Sequence, residues 1–134
     1  MDSLYREAIL EHYRQPHHHG HLAEPTVALE VDNPLCGDRL SIDLLLRDGI
    51  VADMAFTGRG CAISQASASI LSDDLVGMPI AEAAALTRRD MMDLLGVEIG
   101  PARLKCALLA LRGIKMALAQ AGIPVTSYVD EAEE

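Results

Sequence analysis

Residues 39–57 read RLSIDLLLRDGIVADMAFT, and they decide the fold class. Leu40, Ile42, Leu44 and Leu46 alternate with other side chains, as one face of a half-buried strand does. Asp48-Gly49 suits a two-residue hairpin turn, because both positions there take positive φ. A returning strand is expected over 50–57, with Ala52, Met54 and Phe56 on one side. Upstream, Val27, Leu29 and Val31 alternate in the same way over 26–31. The pattern predicts a three-stranded, mainly antiparallel sheet.

Helical signals surround that sheet. Residues 3–14 can be capped by Asp2 or Ser3, place Leu4, Ala8, Ile9 and Tyr13 on one face, and are closed by Pro16. Gly58-Arg59-Gly60 is expected to stop the third strand. A helix rich in small residues should follow over 62–76, ended by Gly77. A short helix is expected over 79–86. Thr87 and Asp90 resemble a capping box opening 88–95, and Pro101 suits the first position of a last helix running to about Ala121. Leu104, Leu108, Leu111, Met116 and Leu118 supply much of its apolar surface. The order predicts an α+β fold, with several helices packed on the sheet in a single domain spanning 1–134.

Composition narrows the function. The chain has 134 residues and a formal net charge of −9, which repels phosphate backbones and argues against nucleic-acid binding. Part of the acid sits in a terminal run, Asp130-Glu131-Ala132-Glu133-Glu134, which reads as a solvated end. Apolar residues make up 50% of the chain, yet Trp is absent and Phe occurs once, so the core must be aliphatic. The longest apolar run, Cys106 to Leu111, is too short to span a bilayer. The N-terminus lacks the layout of a signal peptide. The expectation is a cytoplasmic protein with no membrane partner, in which three cysteines serve as thiols rather than disulfides.

Each cysteine lies beside an element boundary. Cys36 sits in a turn-rich loop, with Asp38 two residues on and Gly37 between them. Cys61 follows Gly58 and Gly60 and opens a helix, whose dipole favours a thiolate there. Cys106 falls in the first turns of the last helix, beside Arg103 and Lys105. No Cys-x-x-Cys spacing is present, so spacing alone is a weak metal signal. Each cysteine can also be a small buried hydrophobe; for Cys106, within Cys-Ala-Leu-Leu-Ala-Leu, the sequence leaves both open. Three thiolates and the Asp38 carboxylate can nevertheless complete a tetrahedral zinc site. The carboxylate is the harder ligand and the one more easily displaced by sulfur.

Four segments carry a resemblance: YREAILEHYRQPHHHGHL (5–22), NPLCGDRL (33–40), FTGRGCAISQASASIL (56–71) and ARLKCALL (102–109). With three cysteine motifs in register, the chain resembles the iron–sulfur scaffold family that contains IscU, the N-terminal domain of NifU, and SufU. The resemblance implies that Cys36, Asp38, Cys61 and Cys106 bind metal, either zinc or iron in a [2Fe–2S] cluster. It implies a cysteine desulfurase as sulfur donor through a persulfide, and recipient iron–sulfur apoproteins or a carrier downstream. Cys36 is the first candidate acceptor of sulfur and Cys106 the second. The alternative is a zinc-dependent sulfurtransferase of SufU type that builds no cluster.

The subtype signals are mixed. Lys105 stands where IscU-like chains carry His, as in SufU, and a charged lysine cannot ligate metal. Its expected role is to hold Asp38 or a thiolate electrostatically. The 44 residues between Cys61 and Cys106 fit IscU instead. Residues 98–102 (EIGPA) lack the Leu-Pro-Pro-Val-Lys motif that IscU presents to its dedicated chaperone, so that partnership is not expected. His17-His18-His19-Gly20-His21 reads as a solvated loop or a regulatory metal site. Ser64, Ser67, Ser69 and Ser72 read as small residues for close helix packing. Arg39 and Arg59 can orient the aspartate or meet a partner's acidic edge.

Overall fold

The Asp48-Gly49 turn forms as its chemistry dictates. In the computed structural model, which describes residues 3–34, 37–96 and 99–126, Asp48 and Gly49 have φ of 54° and 78°. That backbone matches the twist of the strands it joins. Strands β2 (Asp38–Arg47) and β3 (Ile50–Arg59) pair antiparallel across it. β1 (Val27–Asn33) pairs antiparallel with the other edge of β2, so the order is β1-β2-β3.

Two expectations for β3 need correction. Leu45 pairs with Asp53 but Leu46 pairs with Val51, which leaves Ala52 as an extra residue. This bulge inverts the alternation. Val51 therefore enters the core, and Ala52 is only half-buried. β3 also runs two residues past the expected 57 and stops inside Gly58-Arg59-Gly60, pairing through to Arg59 opposite Arg39. A Cβ at Gly58 would lie 2.6 Å from Leu40 Cδ2, so the glycine leaves room for that leucine rather than breaking the strand.

The helices are α1 (Ser3–Arg14), α2 (Ala62–Leu75), α3 (Ile80–Ala84), α4 (Arg88–Leu95) and α5 (Pro101–Gln120). Thr87 and Asp90 form the reciprocal capping box of α4, and Gly96 ends it in left-handed backbone. α5 lies across β1 and β2, α2 lies across β3 and against α5, and α1 packs on α2. α5 is buried on nearly every side over 106–111 and again at Ile114, Ala117 and Leu118, as a central helix must be. It approaches the sheet closely at Gly113, where a Cβ would lie 2.5 Å from Ile42 Cδ1 and 2.8 Å from Val31 Cγ1. α1 uses a narrower face than its periodicity suggests. Ile9 is buried while Tyr13 is 43% exposed, because the face turned to α2 runs through Ile9 and His12, whose Nδ1 reaches Ser69 Oγ at 2.7 Å. Among the described residues no helix is long and apolar enough to cross a membrane. The acidic run 130–134 and the candidate cap Asp2 lie outside the described residues.

Candidate metal centre

The hairpin brings Asp38 and Cys61 together. Asp38 begins β2 opposite Asn33, and the Gly37 N–H donates to Asn33 O at 2.8 Å. β3 ends beside it at Arg59, so Gly60 comes directly against Asp38. A Cβ on Gly60 would lie 2.0 Å from Asp38 Oδ1, and its φ is 123°; only glycine fits both the space and the backbone. Cys61 is then the N-cap residue of α2. Its N–H donates to Asp38 Oδ1 at 2.8 Å, and its thiol lies 3.2 Å from Asp38 Oδ2. The carboxylate thus satisfies a helix-terminal N–H that would otherwise lack an intrahelical partner.

The third donor comes from α5. Pro101 opens that helix, and Cys106 in its second turn is 2% exposed, next to Asp38 at 1%. The ligand atoms of Asp38, Cys61 and Cys106 all lie within 4.8 Å of one another. Sulfur and oxygen ligands around one tetrahedral zinc sit about 3.5–3.8 Å apart, so these donors fit a metal ion with little closure. A carboxylate this deeply buried needs hydrogen bonds or positive charge to offset its lost hydration; the Cys61 N–H supplies one such bond, and a metal ion held with the two cysteines would supply the charge. Cys36 lies outside the described residues.

Residues 4–122 match the NifU-like N terminal domain family. The chain belongs to that family. Among the relatives of this NifU-like chain, the zinc-dependent sulfurtransferase SufU of Bacillus subtilis is 34% identical over 137 residues, covering 90% of this chain and 92% of the relative. The iron-sulfur cluster assembly scaffold protein IscU of Thermotoga maritima is 34% identical over 137 residues, covering 90% and 96%. A crystal structure of a nitrogen-fixing NifU-like protein (N-terminal) from Brucella abortus matches with a TM-score of 0.76 at 28% identity, covering 90% of this chain and 96% of that one.

Other expected residues fall differently. Lys105 is exposed, and among the described residues it makes no ion pair with Asp38. Arg39 and Arg59 are exposed cross-strand neighbours, and Arg39 lies 3.8 Å from Asp32 Oδ2; neither pairs with Asp38 among the described residues. The α2 serines are all buried, as close packing requires. Two of them do more: Ser69 and Ser72 receive His12, His17 and His18. The histidine loop is therefore docked, not merely solvated. Its backbone bonds the edge of β3, with the Phe56 N–H on His18 O at 3.0 Å and the Gly20 N–H on Phe56 O at 2.8 Å. No local pattern in the sequence pairs α1 with α2, so this cluster was not readable from it.

Proposed function

We propose that this NifU-like chain is an iron–sulfur cluster assembly protein. It accepts sulfur from a cysteine desulfurase and holds a metal ion or a nascent [2Fe–2S] cluster on Cys36, Asp38, Cys61 and Cys106. The observation that carries this reading is the convergence of Asp38, Cys61 and Cys106, from three separate elements, within 4.8 Å. Cys36 joins the set by its sequence position two residues before Asp38 and by the family resemblance. Relatives over most of the chain are named iron–sulfur scaffold proteins, which supports the same reading. A cytoplasmic location and recipient iron–sulfur apoproteins or a carrier complete it.

Sulfur transfer follows from thiolate chemistry. A thiolate of this chain attacks the terminal sulfur of the desulfurase persulfide. A new S–S bond forms as the donor's S–S bond breaks, and the donor cysteine leaves as thiolate, with no net change of oxidation state. Cys36 is the first acceptor proposed. Cys106 is the second, and at 2% exposed it is reached only when the centre opens. Zinc on these residues supplies ionised thiolates, with Asp38 the ligand most readily displaced by sulfur.

A second reading, a zinc-dependent sulfurtransferase that raises desulfurase turnover without building a cluster, is favoured by Lys105 and by the SufU relative. Metal and acid-labile sulfide content after anaerobic purification separates the two. Iron with equimolar sulfide, and charge-transfer absorption on reconstitution with iron, cysteine and desulfurase, supports a scaffold. Stoichiometric zinc without sulfide supports the sulfurtransferase. Absence of bound metal from the native protein, matching an Asp38→Ala variant, overturns both.

A further inference from the structure

A second group of donors lies at the other end of α2. His12, near the end of α1, and His17, in the loop that follows, stack with ring centroids 4.4 Å apart and planes tilted by 50°. Asp73, on α2, is 2.7 Å from His17 Nδ1 through Oδ2. One ligand atom from each of His12, His17 and Asp73 lies within 4.8 Å of the others. His18 adds a nearby nitrogen, 3.6 Å from Asp73 Oδ1. The arrangement has outer support as well: Ser69 Oγ lies 2.7 Å from His12 Nδ1 and accepts the His17 backbone N–H at 2.7 Å. A serine that accepts Nδ1–H of His12 leaves the Nε2 lone pair for a cation, the second-shell arrangement usual for ligating histidines.

We propose that His12, His17 and Asp73 form a second divalent-cation site, separate from the cysteine centre and taking borderline ions such as Zn2+, Co2+ or Ni2+. The chemistry follows from the donor set, since two imidazoles and one carboxylate suit these ions better than Mg2+ or Ca2+. One ion cannot serve both places. Asp73 is twelve residues along α2 from Cys61, a separation of about 18 Å at the rise of an α-helix. Entry of an ion replaces the hydrogen bond between His17 and Asp73. A nitrogen and an oxygen on one tetrahedral ion sit about 3.3 Å apart, so that pair opens by roughly half an ångström. The half-exposed His17 side chain (49%) is free enough to do so. His18 or water takes the remaining position. An ion here ties α1, the histidine loop and α2 together at three points. The loop also bonds β3 through Phe56, so occupancy stiffens the N-terminal part of the fold and raises its stability by mass action.

Cobalt separates the two sites, because thiolate ligation gives intense near-ultraviolet charge transfer whereas nitrogen and oxygen ligation gives only weak visible bands. The whole chain, stripped of metal and kept reduced, is titrated with Co2+ by calorimetry and absorption. The wild type is expected to take two ions. His17→Ala and Asp73→Asn weaken one of them by about tenfold or more, the scale set by ligand-shell losses, and leave the charge-transfer signal unchanged. Cys61→Ser loses the charge transfer and keeps the other ion, which still raises its melting temperature. A His19→Ala/His21→Ala double variant keeps both. A single ion per wild-type chain, lost on Cys61→Ser, overturns the proposal. So does a second ion that survives in His17→Ala/Asp73→Asn or disappears in His19→Ala/His21→Ala.

Discussion

Asp38 grips Cys61 at two points: Oδ1 accepts its backbone N–H at 2.8 Å while Oδ2 lies 3.2 Å from its sulfur. One carboxylate therefore caps α2 and stands as a donor in the metal centre. The two roles can be separated. Asp38→Asn retains an acceptor for the N–H but loses the charge; Asp38→Ala loses both. Both variants are expected to weaken zinc at least tenfold, read by chelator competition. Only Asp38→Ala should also destabilise the metal-free protein, by about 1 kcal/mol for the lost cap on a half-buried helix-terminal N–H, read by urea unfolding. Equal stability of the two metal-free variants would sink the capping role.

Gly60 contributes no ligand, yet the centre depends on it. A Cβ there meets Asp38 Oδ1 at 2.0 Å and Asp38 Cα at 2.8 Å, at φ 123°. Asp38 is buried and cannot swing clear into solvent. Gly60→Ala is expected to cost about 1–3 kcal/mol in backbone strain alone and to abolish tight zinc binding with all four proposed ligands intact. Tight binding in a folded Gly60→Ala protein would show that Asp38 is not held as described.

Much of this was legible in the sequence, and the failures have physical causes. Asp48-Gly49, the Thr87/Asp90 box and Pro101 act within a few residues, so their chemistry reads directly. The Ala52 bulge was not legible, because strict alternation and a one-residue slip share the same apolar composition. Asp38 and Cys61 were legible as neighbours only through family resemblance; their contact needs β2 and β3 to be in register first. The docking of His12 and His17 onto Ser69 and Asp73 depends on how α1 packs on α2, which neither helix encodes alone. The role expected of Lys105 rested on its standing where IscU-like chains carry His, but its side chain is exposed, on a helix whose inward face carries the thiol.

Gly113 tests the helix–sheet contact. In an isolated helix Gly→Ala gains about 1 kcal/mol. Here the new methyl meets Ile42 Cδ1 at 2.5 Å and Val31 Cγ1 at 2.8 Å, and overpacking costs about 1–3 kcal/mol. Gly113→Ala is expected to lower stability by about 1 kcal/mol net, as those two terms leave. Adding Ile42→Val, which removes the offending Cδ1, should recover part of that loss in a double-mutant cycle. A stabilised Gly113→Ala would mean that α5 rides higher on the sheet.

Lys115 is wholly buried on α5, and its ammonium donates to Leu86 O and Thr126 Oγ1. Burial pushes its pKa down, while Asp90 pulls it back up. The Thr126 N–H also donates to Ala84 O at 3.2 Å, so Lys115 helps hold residues 123–126 against the turn after α3. Lys115→Ala leaves a cavity and an unpaired Leu86 carbonyl, and is expected to cost about 2–4 kcal/mol. Lys115→Met fills the cavity and should cost less. Both should speed proteolysis near residue 126, since both remove the Lys115 bond to Thr126 Oγ1 and leave that hydroxyl only its bond to Ala84 O at 3.3 Å. Wild-type protease resistance in Lys115→Met would assign the anchoring to the Ala84 contact alone.

His12 predicts how stability responds to acid in metal-free buffer. Burial lowers its pKa below the ordinary value, helped by His17 and opposed by Asp73 and Glu11. The unfolded chain then binds a proton that the native state refuses, over the window between the native pKa and about 6.5. Stability therefore falls as pH drops through that window, and the effect levels off below the native value. Well above about 6.5 both states are neutral and His12 contributes nothing to the slope. The slope is at most about 1.36 kcal/mol per pH unit for one proton. His12→Gln cannot titrate and keeps a hydrogen-bonding group towards Ser69, so it should lose less stability than the wild type between pH 7.5 and 5.5, read by urea unfolding. Identical losses in the two proteins would move the acid sensitivity to another group.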